Sequence, residues 1–284
     1  MKKILIPTDF SRCADVAINF AIQSAKISPI ELSLIHVMEI YPAVYGDPSG
    51  VAVAYPLAYR EEREKQLHEL KGQLMKKGSP QLDSGIYDGS VVSAIVEAQK
   101  DKNADLILMG TNGASGLQEA FLGSQTGSVI GQAGVPVLAI PCKYEWKRPE
   151  KVLLATNSFE KQSGVLEFIL DFVRFYGADL HIVVFTNEKK DKALTLVEHQ
   201  HQLNSYIEMI KLHYGVTAIA NHIHGLDLED SLNDYIKKEQ IDILAMVTHK
   251  RKFLDGIFQP STTKRMSYHS TVPLLALPSK VKAR

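Results

Sequence analysis

Four short apolar strings in the first half of this 284-residue chain return, in the same order, in its second half. I-L-I-P-T-D-F-S from Ile4 recurs as V-L-L-A-T-N-S-F from Val152, and L-S-L-I-H-V from Leu32 recurs as L-H-I-V-V-F from Leu180, both 148 residues on. A-D-L-I-L-M-G from Ala104 recurs as I-D-I-L-A-M-V from Ile241, and V-P-V-L-A-I-P from Val135 as V-P-L-L-A-L-P from Val272, both 137 residues on. Repetition on the scale of a whole domain means one folding unit used twice, each copy large enough to bury its own core. The offset falls from 148 to 137, so the second copy is 11 residues shorter, and the deletion lies between its second and third strands.

The repeated strings are short apolar runs with little alternation, the pattern of strands covered on both faces. Between them lie helical periodicities: Val16, Phe20 and Ile27; Leu67, Leu70 and Leu74 on a charged helix over 60–77; Val92, Ile95 and Val96 on a helix over 90–100. Strands alternating with helices predict a parallel sheet with helices on both sides. The domains read as 1–142 and 150–284, joined by a polar linker over 143–149 that contains Pro149. Residues 41–59 form a long loop with three prolines and four tyrosines, peculiar to the first copy, where a lid or contact surface and a disordered excursion are equally good readings.

The segment 104–124 carries the chemistry. A buried strand ends at Gly110, Gly113, Gly116 and Gly123 follow, and Ser124 stands as N-cap candidate for a helix over 125–132. A strand, a glycine-bearing loop and a helix N-terminus make an anion site, because free N–H groups and the positive helix end suit a phosphate. Ligands of parallel sheets bind beyond the carboxyl ends of the strands, and Asp9 and Gly110 both lie at such ends.

The spacing Gly110-x2-Gly113-x9-Gly123-Ser124, with Asp9 in I-L-I-P-T-D-F-S and the closing V-P-V-L-A-I-P, resembles the nucleotide-binding signature of the universal stress protein family. The resemblance implies two tandem domains of Rossmann-like (adenine nucleotide alpha-hydrolase-like) α/β fold, each a five-stranded parallel sheet. It implies ATP or AMP as ligand, with Mg²⁺ accompanying ATP, in a stress-response protein whose occupied state a partner reads. Carried over, Pro7, Thr8 and Asp9 meet the nucleoside and Val37 offers backbone groups to adenine. Met109, Gly110 and Gly113 border ribose and phosphates, and Gly123, Ser124, Gln125 and Thr126 bind phosphate through N–H and hydroxyl groups. Family dimers pair their last strands, so 135–140 and 272–277 are expected to pair within the chain as a pseudo-dimer; homodimerisation is left open.

The second copy departs from the signature. Gly110 becomes Val247, Gly113 becomes Lys250, Gly123 becomes Pro260 and Asp9 becomes Asn157; Ser124 keeps its counterpart in Ser261. Side chains at these places fill space a phosphate needs, and proline removes a donor. One nucleotide per chain is expected, in the first copy. The basic run Lys250, Arg251, Lys252 reads as a solvated loop or, alternatively, a site for another anion.

Other chemistries are weaker. Gly-x-Gly-x-x-Gly, a Gly-Lys pair, Gly-x-Ser-x-Gly and His-Glu-x-x-His are all missing. Without a P-loop lysine, binding is favoured over phosphoryl transfer; a slow ATP hydrolase or nucleotidyl transferase is the alternative, and no catalytic residue is assigned. Eight of the ten histidines lie in the second copy, yet His199 and His201 do not share a helix face, and His222 and His224 find no third ligand nearby. No metal site is expected. Equal numbers of acidic and basic residues, 32 each, give no field for nucleic acid or membrane. Cys13 and Cys142 show no paired spacing and read as thiols of a reducing compartment, hence a cytoplasmic protein; Cys13 reads as a small buried residue or a stabilised thiolate.

Overall fold

The computed structural model describes residues 1–39, 57–76, 81–111, 123–157, 159, 164–189, 191, 193–248 and 272–279. The elements of the first half are β1 (Lys3–Pro7), α1 (Arg12–Ala25), β2 (Glu31–Met38), α2 (Leu57–Lys76), β3 (Leu82–Asp88), α3 (Val91–Asp101), β4 (Leu106–Gly110), α4 (Ser124–Gln132) and β5 (Val137–Ile140). Those of the second are β6 (Lys151–Ala155), α5 (Gly164–Tyr176), β7 (Asp179–Asn187), α6 (Ala193–Tyr214), β8 (Ala218–Gly225), α7 (Leu228–Glu239), β9 (Ile243–Thr248) and β10 (Leu274–Pro278). Of the loop expected over 41–59, residues 41–56 lie outside the described residues, as does the basic run 250–252, while 57–59 belong to α2, which begins three residues before the expected start at 60.

All ten strands form one sheet in the order β3-β2-β1-β4-β5-β10-β9-β6-β7-β8. Each half is a parallel α/β unit of Rossmann-like type, as its repeated apolar strings require. Leu106, Ile107 and Leu108 are at most 1% exposed, as a strand covered on both faces must be. The halves meet where β5 and β10 pair antiparallel, with Leu138 opposite Leu275. These are the strands that each half alone would leave as an open apolar edge. One core continues across the seam: Leu138 and Ile140 of β5, Val152 and Leu154 of β6, and Leu275 and Leu277 of β10 share a single cluster with α1 and α5.

Local starts and stops follow their residues. Ser11 caps α1, accepting from the Ala14 N–H at 3.3 Å. Asp227 caps α7 through the N–H groups of Glu229 and Asp230. A pair of equivalent aspartates ties each first strand to its fourth. Asp105 accepts from the N–H groups of Lys2 and Lys3 at 2.7 and 3.0 Å, and Asp242 accepts from those of Glu150 and Lys151 at 2.7 and 2.9 Å.

Two expectations need correction. Cys13 and Cys142 are joined in a disulfide, with Cα atoms 4.5 Å apart, so neither is a free thiol, and the argument for a reducing, cytoplasmic setting loses its support. The segment 143–149, between the two matched halves of the chain, packs against both of them. Tyr144 and Trp146 pack on Phe20 of α1 with ring centroids 5.9 and 4.8 Å apart, and Arg148 donates twice to the Tyr176 carbonyl. Ser24 of α1 meets the Tyr176 hydroxyl of α5 at 2.8 Å, a buried contact between the halves. Burial pushes the Tyr144 hydroxyl up to about 12 and that of Tyr176 higher still. Finally, Ser124 is not the N-cap of α4: Gly123 is, and Ser124 is the first helical residue.

Candidate functional site

In the first half, the strand order reverses between β1 and β4. A parallel sheet opens a crevice at such a point, outside the carboxyl ends of the strands. Pro7 closes β1 opposite Ile35, the last rung β1 shares with β2. Thr8 continues one step, donating its N–H to the Ile35 carbonyl at 2.8 Å. Val37, two residues further along β2, lies past that rung, and the two-residue alternation of a strand puts its N–H and C=O on the same side as the Ile35 carbonyl that Thr8 bonds. Asp9 is exposed at the mouth, and one of its carboxylate oxygens accepts from the Ser11 N–H at 3.0 Å.

Phe10 sits between them at φ 60°, a conformation an aromatic residue adopts rarely and at a cost. The Thr8 hydroxyl accepts the Phe10 N–H, and the ring lies 4.6 Å from that of His36, with the Arg63 guanidinium 5.9 Å from its centroid. His36 Nδ1 donates to the Thr8 carbonyl at 2.8 Å, and burial holds its pKa below the usual histidine value. Phe10, His36 and Arg63 therefore brace the Asp9 turn. Nothing in their spacing along the sequence signals this.

Across the crevice, β4 ends at Gly110. A Cβ there would lie 2.7 Å from the Cys13 carbonyl oxygen and 2.9 Å from its carbon. Gly110 is thus required by the close packing of α1 on β4. Met109 is buried in the second-face core with Val129 and Ile130 of α4. Thr111 and Gly123 bracket the glycine loop: the Gly123 N–H donates to the Thr111 carbonyl, and the Thr111 N–H to that of Ile140 at 3.0 Å. Gly113 falls between them and outside the described residues.

Gly123 adopts φ −52° and ψ 147°, open to any L-residue, so its backbone does not demand glycine. It makes no side-chain cap bond to α4. Among the described residues, the N–H groups of Ser124, Gln125 and Thr126 accordingly stand at a helix start without the usual side-chain acceptor. The Thr126 hydroxyl donates to the Gly110 carbonyl at 2.9 Å and ties this start to the end of β4. The site as a whole brings Pro7, Thr8, Asp9, Val37, Gly110, Gly123, Ser124, Gln125 and Thr126 to one end of the sheet.

The second half repeats the crevice with a different lining. A cavity of about 350 Å³ lies among Asn157, Val183, Phe185, Ile223, Met246 and Val247. A larger one, about 540 Å³, lies where Asn103, Asp105 and Pro136, at the amino ends of first-half strands, meet Glu167 of α5. His222 meets His199 through the Thr186 hydroxyl, at 2.8 and 3.0 Å, while His224 pairs with Glu188. Among the described residues no group of three or more His, Cys, Asp or Glu could hold a metal ion, and no helix is long and apolar enough to cross a membrane.

Comparison with known proteins agrees with this architecture. The Universal stress protein family matches residues 1–141 and again 149–278. A universal stress protein of Methanocaldococcus jannaschii is 33% identical over 150 residues, spanning 53% of this chain and 84% of its own length. A second from that organism is 30% identical over 156 residues, spanning 50% and 96%. Among solved structures, a universal stress protein from Archaeoglobus fulgidus superposes with a TM-score of 0.75, covering 98% of both chains at 20% identity, a likeness of fold. With both copies matched over nearly the whole length, the chain belongs to the universal stress protein family and carries two tandem domains of it.

Proposed function

We propose that the first domain binds one adenine nucleotide, ATP or AMP, and that the second domain, lacking the motif, serves the structure or a partner. The observation that carries this is the bare start of α4 facing the crevice at the strand-order reversal. Among the described residues no side chain caps this start, which leaves the N–H groups of Ser124, Gln125 and Thr126 suited to an anion. The Asp9 carboxylate and the outward-turned backbone of Val37 stand at the opposite wall, where a nucleoside would lie. Mg²⁺ would arrive with the phosphates of ATP.

Residues 110–132 contain no lysine or arginine, so this loop and helix start bring no cation to a transferring phosphoryl group. The chemistry supported is retention of the nucleotide, with its occupancy read by a partner protein, rather than turnover. Gly123→Val puts a branched side chain against the first phosphate-facing N–H groups without straining the backbone. Calorimetry should show ATP binding lost in that variant, with thermal unfolding within about 0.5 kcal/mol of the parent. Unchanged ATP affinity would refute the site. Steady phosphate release at saturating ATP would replace binding with hydrolysis.

A further inference from the structure

The second-domain crevice is open in shape yet closed in chemistry. Thr156 donates to the Val183 carbonyl at 3.0 Å, as Thr8 does to Ile35, so the two crevices are built alike. Phe185 stands where Val37 stands, two residues past the last shared rung. Its backbone is already engaged: the Phe185 N–H donates to Asn157 Oδ1, and Asn157 Nδ2 donates to the Phe185 carbonyl, both at 3.4 Å.

We propose that the Asn157 carboxamide stands in for the edge of an adenine base and so closes the second crevice to adenine nucleosides. A primary amide and the amino edge of adenine present the same pair side by side, one donor and one acceptor. Asn157 therefore satisfies both Phe185 groups at once, and a base must displace it before it can bond. The residue at the equivalent place in the first domain is Asp9. An ionised carboxylate accepts but cannot donate, so it leaves the carbonyl of Val37 for a ligand's amine. At this wall the Asn157 amide turns onto the backbone of Phe185, whereas a carboxylate oxygen of Asp9 accepts from the Ser11 N–H.

The remaining walls suit a flat, largely apolar body: Val183, Ile223, Leu232 and Met246 line the cavity beside the Asn157–Phe185 bridge. Its volume of about 350 Å³ lies within the ~300–1,000 Å³ typical of small-molecule sites. The glycine loop of the first domain is not reproduced, so the ligand class freed by opening the bridge is the nucleoside without phosphates. The inference rests on the reading that Val37 meets the base in the first domain.

The test is calorimetric titration of the full chain with adenosine. The parent should take up one equivalent. Asn157→Asp, which recreates the first-domain arrangement, and Asn157→Ala, which frees both Phe185 groups, should take up two. Purine riboside, which lacks the exocyclic amine, should bind the new site at least tenfold more weakly than adenosine. Variants that keep the parent's thermal unfolding and the parent's stoichiometry overturn the proposal, as does equal binding of the two nucleosides at the new site. If the parent binds no adenosine but the variants gain one equivalent, the first-domain reading fails while the role of Asn157 stands.

Discussion

Gly110→Ala is the sharpest probe of how the first crevice is assembled. The added methyl group would lie 2.7 Å from the carbonyl oxygen of Cys13, 2.9 Å from its carbonyl carbon and 3.0 Å from its Cβ. Two of the three are backbone atoms, so no rotamer change relieves the contact, and the start of α1 must withdraw from β4. Overpacking of a filled interior costs about 1–3 kcal/mol, and backbone contacts place this case at about 2–3. The melting temperature should fall by roughly 5–10 °C. The withdrawal also drags the Gly110 carbonyl from the Thr126 hydroxyl and shifts α4 against Asp9, so nucleotide affinity should fall with stability. Urea unfolding followed by circular dichroism, with ATP calorimetry on the same sample, reads both. A variant within about 0.5 kcal/mol of the parent would show that α1 does not press on Gly110. Gly123→Val is its counterpart, where binding is lost and stability kept.

Asp242→Ala should cost about 2–4 kcal/mol, because it leaves the Glu150 and Lys151 N–H groups without their carboxylate acceptor, whereas Lys147, 61% exposed, returns to water; a loss under about 1 kcal/mol would refute its role. Cys142→Ser opens a link across 129 residues and should lower stability by about 2–5 kcal/mol under oxidising conditions, with no difference from the parent under strong reductant; equal stability in both states would contradict the linkage. Burial lowers the pKa of His36, His181 and His222 in the folded chain. The unfolded chain then binds more protons, so the stability from these groups is full above about pH 6.5 and is lost as pH falls through their folded values. An NMR titration of His36 with a midpoint at or above 6.5 would be inconsistent with that.

Much of the fold is legible because its causes are local. Unalternating runs such as 106–109 must be buried on both faces, and two copies of one pattern must make two like units. The end strands 137–140 and 274–278 are too apolar to remain edges, and they pair. What escapes the sequence arises from contacts between distant residues. The need for glycine at 110 comes from Cys13, 97 residues earlier. Local polarity makes 143–149 resemble a linker, whereas Tyr144 and Trp146 find Phe20 only once α1 is in place. Ser124 has good N-cap chemistry, but the bond from Gly123 to Thr111 sets the helix start one residue earlier. The difference between Asp9 and Asn157 is plain in the alignment of the copies; that Asn157 bonds the backbone of Phe185 emerges only from the geometry.

On the proposed function, one domain of the pair holds a nucleotide and the other does not. Calorimetric titration of the 284-residue chain with ATP in the presence of Mg²⁺ counts the sites. Saturation is expected at one equivalent and should be abolished by Gly123→Val. Saturation at two equivalents, or no binding by the unaltered chain, would contradict it.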